Sequence, residues 1–208
     1  ASLTARGEKV RFTLQIDGTT DLKPEGFMII KKDGLITVIG KDAAGAMYGG
    51  LDLAETIRSG GVKAIEAKKQ DPYLQMRGIK FNIPLDVRTP SYTDVCDAAQ
   101  KNIPEMWSMA FWTAYIDTLA KYRYNYISFW SMHPFPSLVK VPEYPDVALQ
   151  DVKRSKGPFK EHYSLRGEDW VGPEFEEDNL ETIKKITMDE KIAFWRQVMA
   201  YGKSRNVD

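Results

Sequence analysis

Apolar and polar residues alternate at period two from Val10 to Ile16, with Val10, Phe12, Leu14 and Ile16 on one side of an extended chain. This pattern predicts a half-buried strand, which Asp17-Gly18 ends. Two further β-type runs, Phe27–Ile30 and Leu35–Ile39, flank Lys31-Lys32-Asp33-Gly34. The Asp-Gly pair between them predicts a tight hairpin. The period then changes. Met47, Leu51, Ala54 and Ile57 recur at helical spacing, with Asp42 as N-cap and Gly60-Gly61 as the stop. Gly45, Gly49 and Gly50 lie inside this helix, each at a cost of up to about 1 kcal/mol against Ala. Their presence predicts close approach of the helix to a sheet. No Lys-Ser/Thr follows them, as a phosphate-binding loop would require. Val62–Ala67 reads as one last strand, and Lys68-Lys69-Gln70-Asp71-Pro72 as a polar boundary.

Beyond that boundary, Met76–Phe81 reads as a strand that runs through Asn82 and Pro84 into the charged pair Asp86 and Arg88. Thr89–Ile103 is polar and reads as a long loop with room for a short helix. Pro104 opens the next helix, whose buried face is Met109, Trp112, Ile116 and Leu119. Tyr126–Trp130 is the second strand of this part. The stretch at about 132–187 has no sustained period and reads as a long loop excursion, of the kind that is commonly functional. Thr187-Met188-Asp189-Glu190 forms a capping box for a last helix, with Met188, Ile192, Trp195, Met199 and Gly202 on one face. A third strand is expected to begin at Asn206-Val207-Asp208. The chain therefore divides into an α+β domain over 1–70 and a strand–helix alternation over 71–208, which predicts a parallel α/β sheet.

Composition narrows the function. The 208 residues balance 29 Lys and Arg against 29 Asp and Glu. That balance argues against a nucleic-acid partner, which calls for a basic excess, and against attraction to an anionic membrane surface. No apolar run approaches the ~20 residues of a membrane span, so membrane insertion is not expected. The lone Cys96 excludes an internal disulfide and a cysteine-rich metal site. The two histidines, His133 and His162, lack the spacing of a zinc site, and no metal or other cofactor is expected. The acidic run Glu174, Glu176, Glu177 and Asp178 reads as a solvated loop surface. Asp86 and Arg88 read as a surface pair.

The strand, Asp-Gly hairpin, strand and helix from Glu25 to Ile57, with the helix reading Asp42-Ala43-Ala44-Gly45-Ala46-Met47-Tyr48-Gly49-Gly50-Leu51, resemble a known module. It is the small α+β domain that precedes the barrel in family 20 β-N-acetylhexosaminidases, and it is similar to the one in family 67 α-glucuronidases. Arg77-Gly78 resembles the start of the first barrel strand in family 20. Asn82 stands where that family has Asp, and Leu85 where its next Arg falls. Tyr115–Ile127 resembles the family's first barrel helix running into its second strand. The resemblance covers residues 25–133. It implies a hexosaminidase-like support domain followed by an incomplete (β/α) TIM-type barrel of about two βα units. It further implies a glycoside hydrolase whose catalytic carboxylates lie on later strands, so that none of the residues of this chain is catalytic and the fragment alone is inactive.

A barrel carries its functional groups at the C-terminal ends of its strands. Sugars are bound by flat aromatic faces together with charged or amide groups. On this reading the substrate-binding residues are Arg77, which the resemblance pairs with a sugar-contacting Arg, together with Asn82, Trp130 and His133. The partner is a carbohydrate, and the resemblance implies an extracellular or periplasmic protein. An open barrel edge predicts association into a homodimer. The competing reading is a non-catalytic carbohydrate-binding or scaffold protein that uses the same module.

Overall fold

The computed structural model describes residues 2–5, 8–89, 97–131, 137–156 and 177–208. They form two compact units. One consists of Ala1–Arg77, Thr118–Tyr126 and Arg205–Val207, the other of Gly78–Asp117, Ile127–Ser204 and Asp208.

The first unit is built on a five-stranded sheet. Strand β1 (Ser2–Ala5) lies antiparallel to β2 (Glu8–Ile16). Strands β3 (Phe27–Lys32) and β4 (Leu35–Gly40) form the expected hairpin, and β5 (Lys68–Gln70) adds to β3, in the order β1-β2-β4-β3-β5. At the hairpin tip Asp33 and Gly34 take φ of 49° and 73°. These left-handed values match the twist of a two-residue hairpin, and Asp and Gly tolerate them. The strand expected at Val62–Ala67 is instead a 3-10 turn, Val62–Ala64. The polar Lys68–Gln70 makes the strand, because an edge strand held by backbone bonds to β3 needs no apolar side chains.

Helix α1 (Ala43–Gly60) packs on this sheet. Asp42 caps it, with one carboxylate oxygen accepting from the Gly45 N–H at 2.8 Å and the other from the Glu25 N–H at 2.8 Å. Its buried face is Gly45, Ala46, Tyr48, Gly49 and Leu53. The apolar stripe Met47, Leu51 and Ile57 only flanks that face, partly buried. The glycines explain the rotation. A Cβ on Gly45 would lie 2.2 Å from the Gly26 carbonyl oxygen, and one on Gly49 would lie 2.4 Å from Val38 Cγ1. The helix backbone thus rests directly on the sheet, with Phe27, Ile29, Ile36, Val38, Tyr48, Leu53 and Ile65 as the core. Strand β2 is more open than its alternation suggests, with Leu14 50% and Ile16 62% exposed.

From residue 78 onward the elements are β6 (Gly78–Asn82), α2 (Asp97–Met106), α3 (Met109–Lys121), β7 (Tyr126–Trp130), β8 (Asp151–Ser155), β9 (Leu180–Lys185) and α4 (Met188–Ser204). Strands β6 and β7 pair. The Asn125 N–H donates to the Arg77 carbonyl at 2.9 Å and the Ile83 N–H to the Trp130 carbonyl at 3.0 Å, so both strands run the same way. Strand, helices and parallel strand make a βαβ unit. On β7, the Ile127 N–H donates to the Asp208 carbonyl at 2.8 Å, where a third strand is expected.

Two expectations change here. Pro104 lies inside the last turn of α2 rather than opening a helix, and α3 starts at Met109. The expected long loop contains an antiparallel ribbon, β8 with β9, with a register shift between Val152 and Lys153. The short, highly charged strands of that ribbon carry little apolar period for a sequence to reveal.

Trp112 of α3 sits at the centre of an aromatic core, 5.7 Å from Phe81, 5.2 Å from Phe129 and 5.2 Å from Trp195 between ring centroids. The Thr187–Glu190 capping box forms as expected. The buried face of α4 is Met188, Lys191, Trp195, Val198 and Gly202, with Met199 turned outward. The molecule is thus of mixed α/β and α+β class. Among the described residues, no helix is long and apolar enough to cross a membrane.

Candidate functional site

Phe81 and Phe129 point from β6 and β7 onto Trp112. Side chains alternate between the two faces of a strand, so Lys80, Asn82, Ser128 and Trp130 belong to the opposite face. The Lys80 ammonium confirms this side: it lies 4.6 Å from the Trp130 ring centroid, a cation–π contact. Asn82 and Trp130 are the last residues of their strands. They therefore stand together at the C-terminal end of a parallel strand pair, the end where open α/β sheets and barrels bind their ligands. Both are half-buried. The sequence pattern picked out Asn82 and Trp130 but missed Lys80. The signal was present, since Lys80 lies two residues before Asn82 and so shares its face.

The loop after β6 is a rigid support. Ile83, Leu85 and Val87 are buried, and the Trp107 indole N–H donates to the Leu85 carbonyl at 2.9 Å. The Val87 N–H donates to the Lys153 carbonyl at 3.1 Å, strapping the loop to β8. Asp86 and Arg88 pair as expected, but not on the surface: the Asp86 side chain is 0% exposed. One Asp86 oxygen accepts from the Arg88 backbone N–H at 2.9 Å and from its Nε at 2.8 Å. The other accepts from Arg88 Nη2 at 2.8 Å and from the Lys153 N–H at 2.9 Å. Arg88 also donates to Asp151 Oδ1 at 2.6 Å. Burial works against the Arg88 charge, but its bonds to Asp86 and Asp151 outweigh that and hold the guanidinium protonated.

Lys191 enters this cluster from α4, wholly buried. Its ammonium donates to the Leu149 and Asp151 carbonyls at 2.8 and 2.7 Å. It lies 5.5 Å from the Trp107 ring centroid. Burial pushes its pKa down to about 8; Arg88 acts in the same direction, while Asp86 and Asp151 oppose it. A polar residue on the buried stripe of an amphipathic helix is what the periodic reading of α4 passed over, taking Ile192 instead.

Arg77 occupies a different position from Asn82 and Trp130. It precedes β6, in the first unit, and its guanidinium is bound by protein groups. Nε donates to the Arg123 carbonyl at 2.7 Å, Nη1 to the Leu74 carbonyl at 2.6 Å and Nη2 to Glu25 at 2.5 Å. Glu25 also accepts from the Asn125 amide at 3.0 Å and from the Asn206 amide at 2.5 Å. One carboxylate thus gathers three chain segments: the one entering β6, the one entering β7 and the one following α4. His133, His162 and Cys96 lie outside the described residues.

No protein-family model matches the chain. A search of curated proteins found no match in sequence. Solved structures do match. A GH138 enzyme targeting pectin rhamnogalacturonan II superposes with a TM-score of 0.61 at 19% identity, covering 95% of this chain and 24% of that one. A beta-N-acetylhexosaminidase matches with a TM-score of 0.54 at 13% identity, covering 96% of this chain and 34% of that one. A GH20 exo beta-N-acetylglucosaminidase from Vibrio harveyi, in complex with N-acetylglucosamine, matches with a TM-score of 0.51 at 13% identity, covering 97% and 26%. At such identities the likeness is one of fold. The chain resembles glycoside hydrolases in fold and spans about a quarter to a third of their length.

Proposed function

We propose that this chain is part of a carbohydrate-active glycoside hydrolase that cleaves O-glycosidic bonds in a polysaccharide or glycan. It supplies a support domain and the first strands of a (β/α) barrel, and the catalytic carboxylates lie outside it. The observation that carries this reading is the pairing of Trp130 and Asn82 on one face at the C-terminal end of β6 and β7. The fold likeness to glycoside hydrolases supports it.

In this reading the Trp130 indole stacks on the apolar face of a pyranose ring, and the Asn82 amide donates to and accepts from its hydroxyls. His133, three positions beyond β7 in the sequence, is proposed as a further contact of the same substrate. Arg77 acts from the other end of β6, as a clamp on Glu25 that fixes where the strand starts. Asp86 serves as the partner of Arg88 rather than as an acid, since Arg88 and the Lys153 N–H occupy both of its oxygens, and Asp151 commits Oδ1 to Arg88. In this reading the protein works in the extracellular or periplasmic space, as the resemblance to these families implies.

The test is hydrolysis of a panel of aryl glycosides, hexosaminides and glucuronides included, by protein made from the whole reading frame. Release from at least one substrate is expected, and Trp130→Ala should raise KM for it. A folded protein that releases nothing from the panel, yet binds sugars through Trp130, would favour a non-catalytic carbohydrate-binding protein instead.

A further inference from the structure

The first unit contains a cavity of about 270 Å³ between the hairpin and the segment that leads out of β5. We propose that it binds a neutral saccharide, one pyranose ring at a time. Four features of its wall lead there.

The volume lies just under the ~300 Å³ at which small-molecule clefts begin, which suits a single ring and not an oligosaccharide. The charged groups of the wall cancel, with Arg77 and Arg123 against Glu25 and Asp71. Much of their bonding capacity is taken within the protein, Arg77 by Glu25 and the Arg123 and Leu74 carbonyls and Arg123 by Glu55, so the hydroxyls of a ring meet what remains, chiefly on Asp71, in a wall whose own charges balance. These groups are also fixed in advance. Arg77 is bonded to Glu25 at 2.5 Å, and Asp71 Oδ1 accepts from the Lys23 N–H at 2.8 Å. Binding therefore costs little side-chain ordering.

The aromatic part is the fourth feature. Tyr48 lies in the wall with the Arg77 guanidinium 5.8 Å from its ring centroid. Tyr73 follows Pro72 at the rim and is 97% exposed. Its ring is thus available to lie against the C–H face of a sugar held by the charged groups, which is the arrangement by which aromatic side chains bind pyranoses while leaving the hydroxyls to polar partners.

The experiment is an NMR titration of the full chain with glucose, N-acetylglucosamine and galacturonic acid. The two neutral sugars should give saturable shifts in the backbone amides of Gln70 to Arg77. Galacturonate should bind at least about tenfold more weakly, because its carboxylate loses hydration without a net opposite charge to meet it. Tyr73→Ala should weaken neutral-sugar binding about tenfold. The same variant should leave the melting temperature unchanged, since the ring packs on almost nothing. The inference is overturned by the absence of saturable shifts, by tighter binding of galacturonate, or by loss of the shifts in Trp130→Ala rather than Tyr73→Ala. The last result would place the sugar on the β6 and β7 face. Failure of the whole-frame protein to hydrolyse glycosides has no bearing on this cavity.

Discussion

Removing the Glu25 carboxylate should loosen the first unit more than any surface substitution. Its side chain is 15% exposed and that of Arg77 is 19%. It accepts from Arg77 Nη2 at 2.5 Å, from Asn125 Nδ2 at 3.0 Å and from Asn206 Nδ2 at 2.5 Å. Breaking a buried pair by deleting one partner costs about 3–5 kcal/mol. The residual exposure of both side chains moves this case to the low end of that range. Glu25→Ala is therefore expected to cost about 3 kcal/mol. A second variant isolates the backbone contribution. Glu25 holds a φ of 64°, where a residue other than glycine is strained by about 1 kcal/mol or more. Glu25→Gly loses the same bonds but relieves this strain, so it should cost about 1 kcal/mol less than Glu25→Ala. The assay is urea unfolding followed by hydrogen exchange at the amides of Arg77, Asn125 and Asn206, which report the gathered segments directly. A Glu25→Ala cost below about 1 kcal/mol, in the range of an exposed ion pair, would refute the idea that one carboxylate holds the three segments. So would equal effects of the Ala and Gly variants on the backbone part of the reasoning.

Further outcomes follow from the same geometry. Gly45→Ala should destabilise by about 1–3 kcal/mol, because its Cβ meets the Gly26 backbone oxygen at 2.2 Å. Gly50→Ala should stabilise by up to about 1 kcal/mol, because its Cβ meets only the end of the Leu14 side chain at 3.2 Å; thermal melts of both variants check the opposite signs. Asp42→Ala should lose about 1 kcal/mol or slightly more, since both of its oxygens are bonded to backbone N–H groups. Lys191 has its folded-state pKa depressed from 10.5 to about 8. The unfolded chain therefore holds more protons between those values, and the wild type should gain stability against Lys191→Met as pH rises from 8 to 10.5. The gain should reach roughly 3 kcal/mol, read from denaturant midpoints of both proteins across that window; a flat difference would remove the buried-charge reading of Lys191.

The sequence exposed most of what depends on local chemistry. The Asp33-Gly34 turn, the Asp42 cap, the Thr187–Glu190 box and the strand Tyr126–Trp130 all follow from residues within a few positions of each other. What escaped depends on distant partners. The buried face of α1 is turned because glycines, which have no hydropathy to register, bring the helix onto β3 and β4. Strand β5 is polar because it needs only its bonds to β3. Lys191 sits on a core stripe because carbonyls from the 149–151 segment receive its ammonium, which no local period reveals. The same holds for the site. Asn82 and Trp130 were legible as strand ends and Lys80 by its spacing of two from Asn82, whereas the hub at Glu25 needed contacts across as many as 181 positions.

A structure of the whole-frame protein with a bound monosaccharide product tests the central proposal most directly. The account predicts a pyranose ring against the Trp130 indole, with a hydroxyl in hydrogen-bond reach of the Asn82 amide and Lys80 beside the ring. A sugar bound elsewhere, with Trp130 and Asn82 covered by protein side chains, would contradict it.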